Sequence, residues 1–385
     1  MIRDPYLLAA VLAAITALAF WLDSRYARAR TLGATLLVII FGAALSNAGV
    51  VPFTSPVYDV IGGPVTSLAI VWLLFAVDVR DLRAAGPRMA AAFGIAVTAT
   101  ALGACAAALL FADAFDGNAW RLAGVMTGTY AGGSINFVAV GRAVELPPAL
   151  FTAATAADNV MTAVWFGATL MLPLWLGRHW RDPGPDAPEA EAGDGSVGGD
   201  AYDDHPFLST TRLRVVDLAL LLALGFAVIA ASEGLAAVVR GTPAILWLTT
   251  VALLAGHTPW VRRLHGAMHL GSLGLHLFLA MIGILSRFSE ILRVGPEVFW
   301  FTALVVLIHG AVTLGGCRLA RLDLPTTAVA SQAAVGGPSS ALALAVARDW
   351  KGLVLPGVVV GLLGYAVGNY LGLAVAHLMR GVIGT

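Results

Sequence analysis

Uncharged runs long enough to cross a lipid bilayer recur along the whole of this chain. They include Ile61–Val77, Met89–Ala112, Leu122–Gly141, Val298–Cys317 and Leu324–Ala347. A transmembrane helix needs about 20 predominantly apolar residues. Only 12% of the residues are charged, about half the share of a soluble domain. We therefore predict an all-α polytopic membrane protein with the lipid bilayer as its partner, multi-pass in a cell membrane and expected in a bacterial inner membrane.

Twelve candidate spans follow, near residues 5–22, 31–48, 58–77, 88–111, 120–144, 148–176, 213–238, 243–257, 266–286, 296–317, 324–347 and 352–379. A hydrophilic segment from Arg178 to Arg212 divides them into two sets of six. Its Pro, Gly and Asp content is typical of a disordered linker, and a tether is favoured over a regulatory loop. The predicted organisation is a first transmembrane repeat over 1–177, a linker over 178–212 and a second transmembrane repeat over 213–385.

The two halves resemble each other in sequence. Gly86-Pro87 in the first half matches Gly295-Pro296 in the second, and "YAGGSINFVAVGRAVE" is matched by "AVGGPSSALALAVARD". A repeat with a Gly-interrupted helix at corresponding positions is a good sequence indication of a transporter's binding site. We predict two repeats of about five to six helices, each contributing one discontinuous helix to a core domain.

The arginines bear on orientation, because cytoplasmic loops carry an excess of Lys and Arg. They cluster after the first and third spans and at two places in the second half, namely Arg25, Arg28, Arg30, Arg80, Arg83, Arg88, Arg262, Arg263, Arg318 and Arg321. Twelve simple crossings would put the clusters of the two halves on opposite sides. The conflict disappears if one Gly-Gly segment is re-entrant, which favours inverted repeats and leaves the crossing count open.

The two Gly-Gly segments are also the richest in hydrogen-bonding groups. Irregular backbone at membrane depth is tolerated only where protein buries it or a cavity is present, and a broken helix exposes amides and carbonyls that can hold an ion or an anionic group. Close helix packing by small residues is the alternative. The predicted substrate-binding residues are Thr127, Tyr130, Gly132, Gly133, Ser134, Asn136, Gln332, Gly336, Gly337, Pro338, Ser339, Ser340 and, in the last span, Asn369.

Asp158 lies in the middle of the sixth span. A carboxylate at that depth costs about 2.5–3.5 kcal/mol even on insertion scales and favours a functional interpretation. Thr155, Asn159 and Thr162 lie on the same helix face. Hard oxygen ligands with one titratable member suit a small cation or a proton. We predict ion or proton coupling through these four residues, with Na⁺ as the candidate ion; a structural Asp bonded to a neighbouring helix is the alternative.

Other classes of site are disfavoured. His309 is interpreted as a packing residue, and His269 and His276 share a helix face without a third ligand, so we predict no metal site. The two cysteines form no CxxC pair. HExxH, GxSxG and Walker A motifs are absent from the sequence, and nothing nominates a nucleophile. We expect no enzyme activity and, without a basic stripe, no nucleic-acid partner.

Four strings resemble the DUF819 family of membrane proteins: "LLVIIFGAALSNAGVVP", "FAVDVRDLR", "GGSINFVAV" and "TAADNVMTAVWFGATLMLPLW". The resemblance covers nearly the whole chain outside the linker. The family is named for its unknown function, so membership implies no substrate.

The order of motifs is also similar to the monovalent cation/proton antiporter and anion transporter superfamily, which includes sodium/proton antiporters and bile-acid sodium symporters. That similarity implies inverted repeats, two crossing discontinuous helices in a core domain, and a panel or dimerisation domain, which leaves a homodimer open. It makes Asp158 the ion- or proton-carrying acid and Asn159 its neighbour. This chain has Asp-Asn where the antiporters have Asp-Asp or Asn-Asp, and its late spans have no lysine.

The prediction from the sequence is a secondary active transporter of a small solute or ion. It would work by alternating access, as a symporter or antiporter coupled to Na⁺ or H⁺, without any other cofactor. A passive cation channel or facilitator is one alternative. A membrane receptor or assembly subunit that binds without transport is another.

Overall fold

The computed structural model describes residues 1–75, 77, 82–177, 180, 213–239 and 242–383. All regular structure in these residues is helical. The helices are α1 Pro5–Arg25, α2 Ala27–Asn47, α3 Pro56–Leu74, α4 Leu82–Leu110, α5 Ala119–Gly132, α6 Ser134–Ala143, α7 Pro148–Leu176, α8 Val215–Val238, α9 Ala244–Gly256, α10 Ala267–Leu285, α11 Phe288–Leu319, α12 Leu324–Ala347 and α13 Val354–Ile383.

Nine helices in the described part of the chain are long and apolar enough to cross a membrane. The prediction of an all-α polytopic membrane protein is therefore confirmed. The predicted linker, 178–212, lies outside the described residues except for Trp180. Its role stays a prediction, as do the repeat boundaries at 177 and 213.

Aspartate side chains cap the first turns of α1 and α12. Asp4 precedes α1 and its Oδ1 accepts a hydrogen bond of 2.9 Å from the amide of Leu7. Asp323 precedes α12 and accepts one of 2.7 Å from the amide of Thr326. Both helices carry proline in the first turn. An N-cap carboxylate satisfies a free amide, and proline fits where no amide donor is needed.

The first Gly-Gly segment folds back on itself. Gly133 separates α5 from α6 with φ 97° and ψ −164°. The side chain of Arg121, at the start of α5, donates a hydrogen bond to the carbonyl of Glu145, just beyond α6. The two helices also touch midway, since a Cβ on Gly128 would lie 3.0 Å from Val140 Cγ2. The segment predicted as the span 120–144 is therefore a re-entrant hairpin, which we call hairpin 1.

Helix α12 folds back in the same way at Gly337, which has φ 73° and ψ −169°. A Cβ on Gly357 of α13 would lie 2.5 Å from Val329 Cγ1 and 3.3 Å from Ala341 Cβ. Twelve residues of straight helix would separate Val329 from Ala341 by about 18 Å. Both can touch one residue only because the chain reverses between them. We call α12 hairpin 2.

The two hairpins meet at their tips. A Cβ on Gly133 would lie 3.9 Å from Gly337 Cα, and one on Gly337 would lie 3.7 Å from the Gly132 carbonyl. The similarity to the antiporter superfamily led us to expect two discontinuous helices that cross. They instead meet tip to tip, because the chain reverses direction at each glycine.

Helix α13 supports both hairpins with one face of glycines, which we call the glycine face: Gly357, Gly361, Gly364, Gly368 and Gly372. Gly357 and Gly361 contact hairpin 2, and the other three contact hairpin 1. Small residues let helices in lipid approach backbone to backbone. Any side chain on this face would hold a hairpin away from α13.

Polar contacts identify one end of the helix bundle. The amide of Ile2 donates to the carbonyl of Val50 at 2.7 Å, and Asn47 Nδ2 donates to the carbonyl of Ser286 at 2.9 Å. Ser286 Oγ donates to the carbonyl of Pro148 at 3.0 Å. The beginning of α1, the ends of α2 and α10 and the beginning of α7 therefore lie together, at what we call the outer end.

Other contacts identify the opposite, inner end. Trp180 Nε1 donates to the carbonyl of Leu322 at 2.8 Å, which brings the ends of α7 and α11 together. The amide of His265, before α10, donates to the Asp217 carboxylate at 3.4 Å, at the start of α8. The segments bounded by these contacts place the described arginines of all the predicted clusters at the inner end: Arg25, Arg83, Arg88, Arg262, Arg263, Arg318 and Arg321.

This arrangement removes the conflict over orientation. Of the nine long apolar helices, α12 is hairpin 2 and does not cross. The other eight, with the shorter apolar helices α2 and α9, predict five crossings in the described part of each half: α1, α2, α3, α4 and α7, then α8, α9, α10, α11 and α13. The positive-inside rule then predicts that the inner end faces the cytoplasm. The corresponding helices α1 and α8 begin at opposite ends, which agrees with inverted repeats; the inversion itself stays a prediction.

The orientation can be tested with reporters on the full chain. Alkaline phosphatase fused after Thr385 is expected to be active, because α13 ends at the outer end, whereas green fluorescent protein at that position is expected to be dark. The control is a pair of fusions after His265, at the inner end, where the two signals should reverse. Fluorescence from the C-terminal fusion would contradict the five-crossing count or the assigned orientation.

The helices pack in two groups that each draw on both halves of the chain. The core group comprises α4–α7 and α11–α13, and the panel group comprises α1–α3 and α8–α10. Within the core group, the hairpin of each half packs on a helix of the other half. Helix α5 of hairpin 1 packs on α13, and hairpin 2 packs on α7. The hairpin tips therefore lie in the core group, on the side of that group that faces the panel group.

Candidate functional site

A cavity of about 610 Å³ lies between the hairpin tips and the panel group. Its walls come from both tips, from the middle of α7, from α13 and from α2, α3 and α10. The predicted site residues that line it are Gly133, Ser134, Asp158, Asn159, Thr162, Gly336, Gly337, Ser339 and Ser340. Residues from both halves of the sequence are thus brought to one place near the middle of the bundle.

Asp158 faces this cavity from α7 and is half-buried. Thr162 Oγ1 donates to Asp158 Oδ1 at 3.3 Å, one turn along the helix. The Tyr130 hydroxyl is fully buried beside the carboxylate without a hydrogen bond of good geometry. The carboxylate therefore has one hydroxyl donor on its own helix and remains open to a further partner on the cavity side.

A second, enclosed space of about 20 Å³ adjoins Asp158. Polar side chains make up much of its lining: Thr35, Ser134, Thr155, Asp158 and Asn159. A space of this size holds about one water-sized occupant. Carboxylate, hydroxyl and amide oxygens are the ligands that hard cations prefer, so the donor set fits a single cation such as Na⁺ or a water that carries a proton.

The hairpin tips bring backbone groups to the cavity. Gly133 and Gly337 have conformations open essentially to glycine alone. After each of them a new stretch of helix begins, with Ser134 or with Pro338 followed by Ser339. The first turn of a helix has amides without intrahelical partners and a partial positive charge. The two tips can therefore bind oxygen atoms of a solute.

Eight predicted residues are not part of this cavity lining: Thr127, Tyr130, Gly132, Asn136, Thr155, Gln332, Pro338 and Asn369. Thr155 lines the enclosed space beside Asp158 instead. Most of the others support the tips. Asn136 Nδ2 donates to the Gly364 carbonyl at 2.8 Å and fixes hairpin 1 on α13. Gln332 Oε1 accepts from Thr169 Oγ1 at 3.2 Å and fixes hairpin 2 on α7. Thr127 bonds only within its own helix.

The panel side of the cavity contains polar residues that were not predicted from the sequence. Thr35 of α2 and Ser272 and His276 of α10 line it opposite the hairpins. The His276 ring bonds to the carbonyl of Ser272 at 2.8 Å and lies 3.4 Å from Thr35 Oγ1. Tyr365 of α13 also lines the cavity. His276 was visible as a polar residue in an apolar span, but its distance along the chain from Asp158 concealed the relation.

His309 lies behind the tips in a buried chain of hydrogen bonds. Its Nδ1 is 2.9 Å from Thr100 Oγ1, and its Nε2 is 2.8 Å from Ser331 Oγ. Thr100 also donates to the Tyr130 carbonyl in hairpin 1 at 3.0 Å, and Trp165 Nε1 donates to Ser331 in hairpin 2 at 3.0 Å. Both ring nitrogens have a partner when the neutral ring carries its proton on Nδ1. The imidazole thus ties the two hairpins together.

The replacement His309→Ala is expected to lower the free energy of unfolding by about 2–4 kcal/mol, because it leaves a cavity and two buried hydroxyls without a partner. Thermal unfolding of the purified protein in detergent measures the loss. The matched control is His377→Ala, since His377 is exposed on α13. Equal unfolding temperatures for both variants would show that the hydrogen-bond chain contributes little.

A family model described as "Protein of unknown function (DUF819)" matches residues 10–382. The "Uncharacterized membrane protein YjcL" of Bacillus subtilis (strain 168) is 29% identical over 384 residues, covering 96% of this chain and 95% of that protein. Both comparisons agree with a multi-pass membrane protein.

Proposed function

The chain belongs to the DUF819 family, and we propose that it is a secondary active transporter of a small solute or ion. Transport proceeds by alternating access and is coupled to Na⁺ or H⁺ through Asp158. One observation carries the proposal: an acidic side chain in the middle of a membrane span faces a cavity of about 610 Å³ at the meeting point of two re-entrant hairpins.

The position of Asp158 supports coupling. An ionisable group at this depth is costly to keep and marks ion or proton pathways in membrane proteins. Asn159, Thr155 and Thr162 supply oxygen atoms around it, and the enclosed space beside it has room for one occupant. A carboxylate that alternately holds a cation and releases it is the simplest device for coupling.

The chemistry of the cavity supports a small polar solute. Hydroxyl groups from Ser134, Ser339 and Ser340 line it beside the exposed backbone of the tips. No Lys or Arg is among its described lining residues. The solute is therefore held by hydrogen bonds and helix starts, with the coupling cation placed next to it by Asp158.

The division into two groups supports alternating access. The cavity lies between the core group and the panel group, so a displacement of one group against the other changes the access to it. A carrier of this kind exposes its site to one side at a time. An open channel would need a continuous path past the tips.

The proposal is tested by uptake into proteoliposomes. A panel of labelled small polar solutes, including sugars, carboxylates and amino acids, is offered under an inward gradient of Na⁺ or H⁺. The expected result is accumulation of one class above equilibrium, which collapses when an ionophore dissipates the gradient. Equilibration without accumulation would favour a passive facilitator. Saturable binding without any flux would favour a receptor.

A further inference from the structure

The outer end of the bundle is closed by hydrogen bonds between the core group and the panel group. Asn369 Nδ2 of α13 donates to Thr249 Oγ1 of α9 at 2.9 Å. The neighbouring Tyr370 hydroxyl is 2.6 Å from Thr250 Oγ1. Both pairs lie between the hairpin tips and the outer end, since α9 begins and α13 ends there.

Arg142 makes a third connection of this kind. It lies in the last turn of α6, at the mouth of hairpin 1, and its Nη1 donates to Ser67 Oγ of α3 at 3.3 Å. Its Nη2 lies 3.5 Å from the carbonyl of Gly63, in the π-helical turn Ile61–Val65. The guanidinium is half-buried, and within the described residues no carboxylate pairs with it.

The cavity extends from the hairpin tips toward the inner end of the bundle. On the panel side its walls include Gly33 near the beginning of α2, Leu73 near the end of α3, and Met268 and Ser272 in the first turns of α10. All of these positions lie toward the inner end. Access to Asp158 and the tips is therefore from the arginine-rich side.

We propose that Arg142, together with the Asn369–Thr249 and Tyr370–Thr250 pairs, forms the outer gate of this protein, and that the structure is its cytoplasm-open state. The inference rests on the proposed transport function. In the opposite state these three contacts separate, and the cavity becomes accessible from outside.

The chemistry of the contacts suits a gate that must open repeatedly. Each is a hydrogen bond between groups of which at most one is charged, with a net worth of about 0.5–3 kcal/mol. Breaking a buried ion pair by removing one partner costs about 3–5 kcal/mol, because a charge is left uncompensated. A guanidinium held by a hydroxyl and a carbonyl can exchange these partners for water at the outer end when the groups move apart.

The test reads access to the cavity directly and needs no substrate. Cys105→Ser and Cys317→Ala remove the native thiols, and Ala163→Cys places a reporter thiol in the cavity wall. Thr249→Cys and Asn369→Cys are linked by a short bifunctional thiol reagent while the reporter thiol is reversibly protected. The protecting group is then removed. A membrane-impermeant maleimide is applied to intact cells or to inside-out vesicles. In the linked protein, the reporter thiol is expected to react about tenfold or more faster from the cytoplasmic side than from outside. This is the ratio expected when the state with an open outer gate is rarely populated.

A single replacement gives an independent reading. Arg142→Gln shortens the side chain and removes the guanidinium, so labelling of Ala163→Cys from outside is expected to rise several-fold in the unlinked protein. The matched control is Arg121→Gln at the same hairpin mouth, whose side chain bonds within the hairpin to the Glu145 carbonyl. If Arg142→Gln inserts poorly, Tyr370→Phe, which removes the bond to Thr250, replaces it.

The outcomes separate the gate from the transport function. Faster labelling of the linked protein from outside, or equal labelling from both sides, would overturn the gate even if solutes are transported. One-sided labelling that Arg142→Gln relaxes and Arg121→Gln leaves unchanged supports the gate. That result would stand even if uptake assays showed no transport.

Discussion

Replacing Asp158 by Asn is expected to abolish coupled transport while the protein still inserts and folds. Asn has the same shape, so Thr162 keeps a partner at this position, but it cannot carry a negative charge or a proton at any pH. The enclosed space beside residue 158 would lose its only described acid. A coupled carrier without its titratable group retains a binding cavity and loses the exchange of the cation.

Binding of the cation can be measured without knowledge of the solute. A ligand that binds only the folded state stabilises it by about 2.7 kcal/mol at 100 times its dissociation constant. We expect Na⁺, compared with choline, to raise the unfolding temperature of the wild type at about pH 8.5, where few protons compete for the carboxylate. In Asp158→Asn the Na⁺ effect should vanish.

The matched control for this measurement is Asp59→Asn, an exposed position in the first turn of α3. It makes the same chemical change outside the cavity and should keep the full Na⁺ effect. A Na⁺ effect that survives in Asp158→Asn would place the ion elsewhere. Normal transport by Asp158→Asn would contradict the role assigned to this residue.

Gly133→Ala and Gly337→Ala are each expected to cost about 1–3 kcal/mol of stability and to disrupt binding at the tips. Both glycines have positive φ with ψ near 180°, a combination that residues with a Cβ essentially do not adopt. An alanine would force the turn to change, and the first amides of the next helix would no longer point to the cavity. The effect on Na⁺ binding should therefore exceed the effect on folding.

Thermal unfolding with and without Na⁺ separates these two effects. Gly167→Ala is the matched control, because Gly167 is an exposed glycine of α7 at which a Cβ would meet nothing within 4 Å. It should leave both quantities unchanged. Variants at Gly133 and Gly337 that unfold and bind as the wild type does would contradict the conformational requirement at the tips.

The positions of the breaks could be predicted from the sequence, but their geometry could not. A Gly-Gly pair in an apolar run marks where a helix is interrupted, because the residues themselves weaken it. Whether the chain then continues or reverses is decided by what it packs against. In this protein the decision depends on α13, more than 200 residues after Gly133, whose glycine face fits a reversed hairpin.

The site residues also divide into those that could be predicted from the sequence and those that could not. Asp158 and its neighbours on α7 follow from helical spacing and the cost of a charge in lipid, both of which are local. Thr35 and His276 are 241 residues apart, yet they lie together on the panel side. No local pattern carries information of that kind. Orientation was ambiguous for a related reason, since the arginine clusters lie on one side only after hairpin 1 is removed from the crossing count.

The glycine face of α13 has a consequence for the evolution of this chain. Every missense change of a glycine adds atoms, and at Gly357, Gly361, Gly364, Gly368 and Gly372 a Cβ would already be within 3 Å of the opposing hairpin. No conservative replacement exists at such a position, in contrast to an aliphatic core residue. In a library of all single substitutions, α13 should therefore show a periodic row of sites that accept no replacement. That row would mark the contact surface of both hairpins in any relative that shares them.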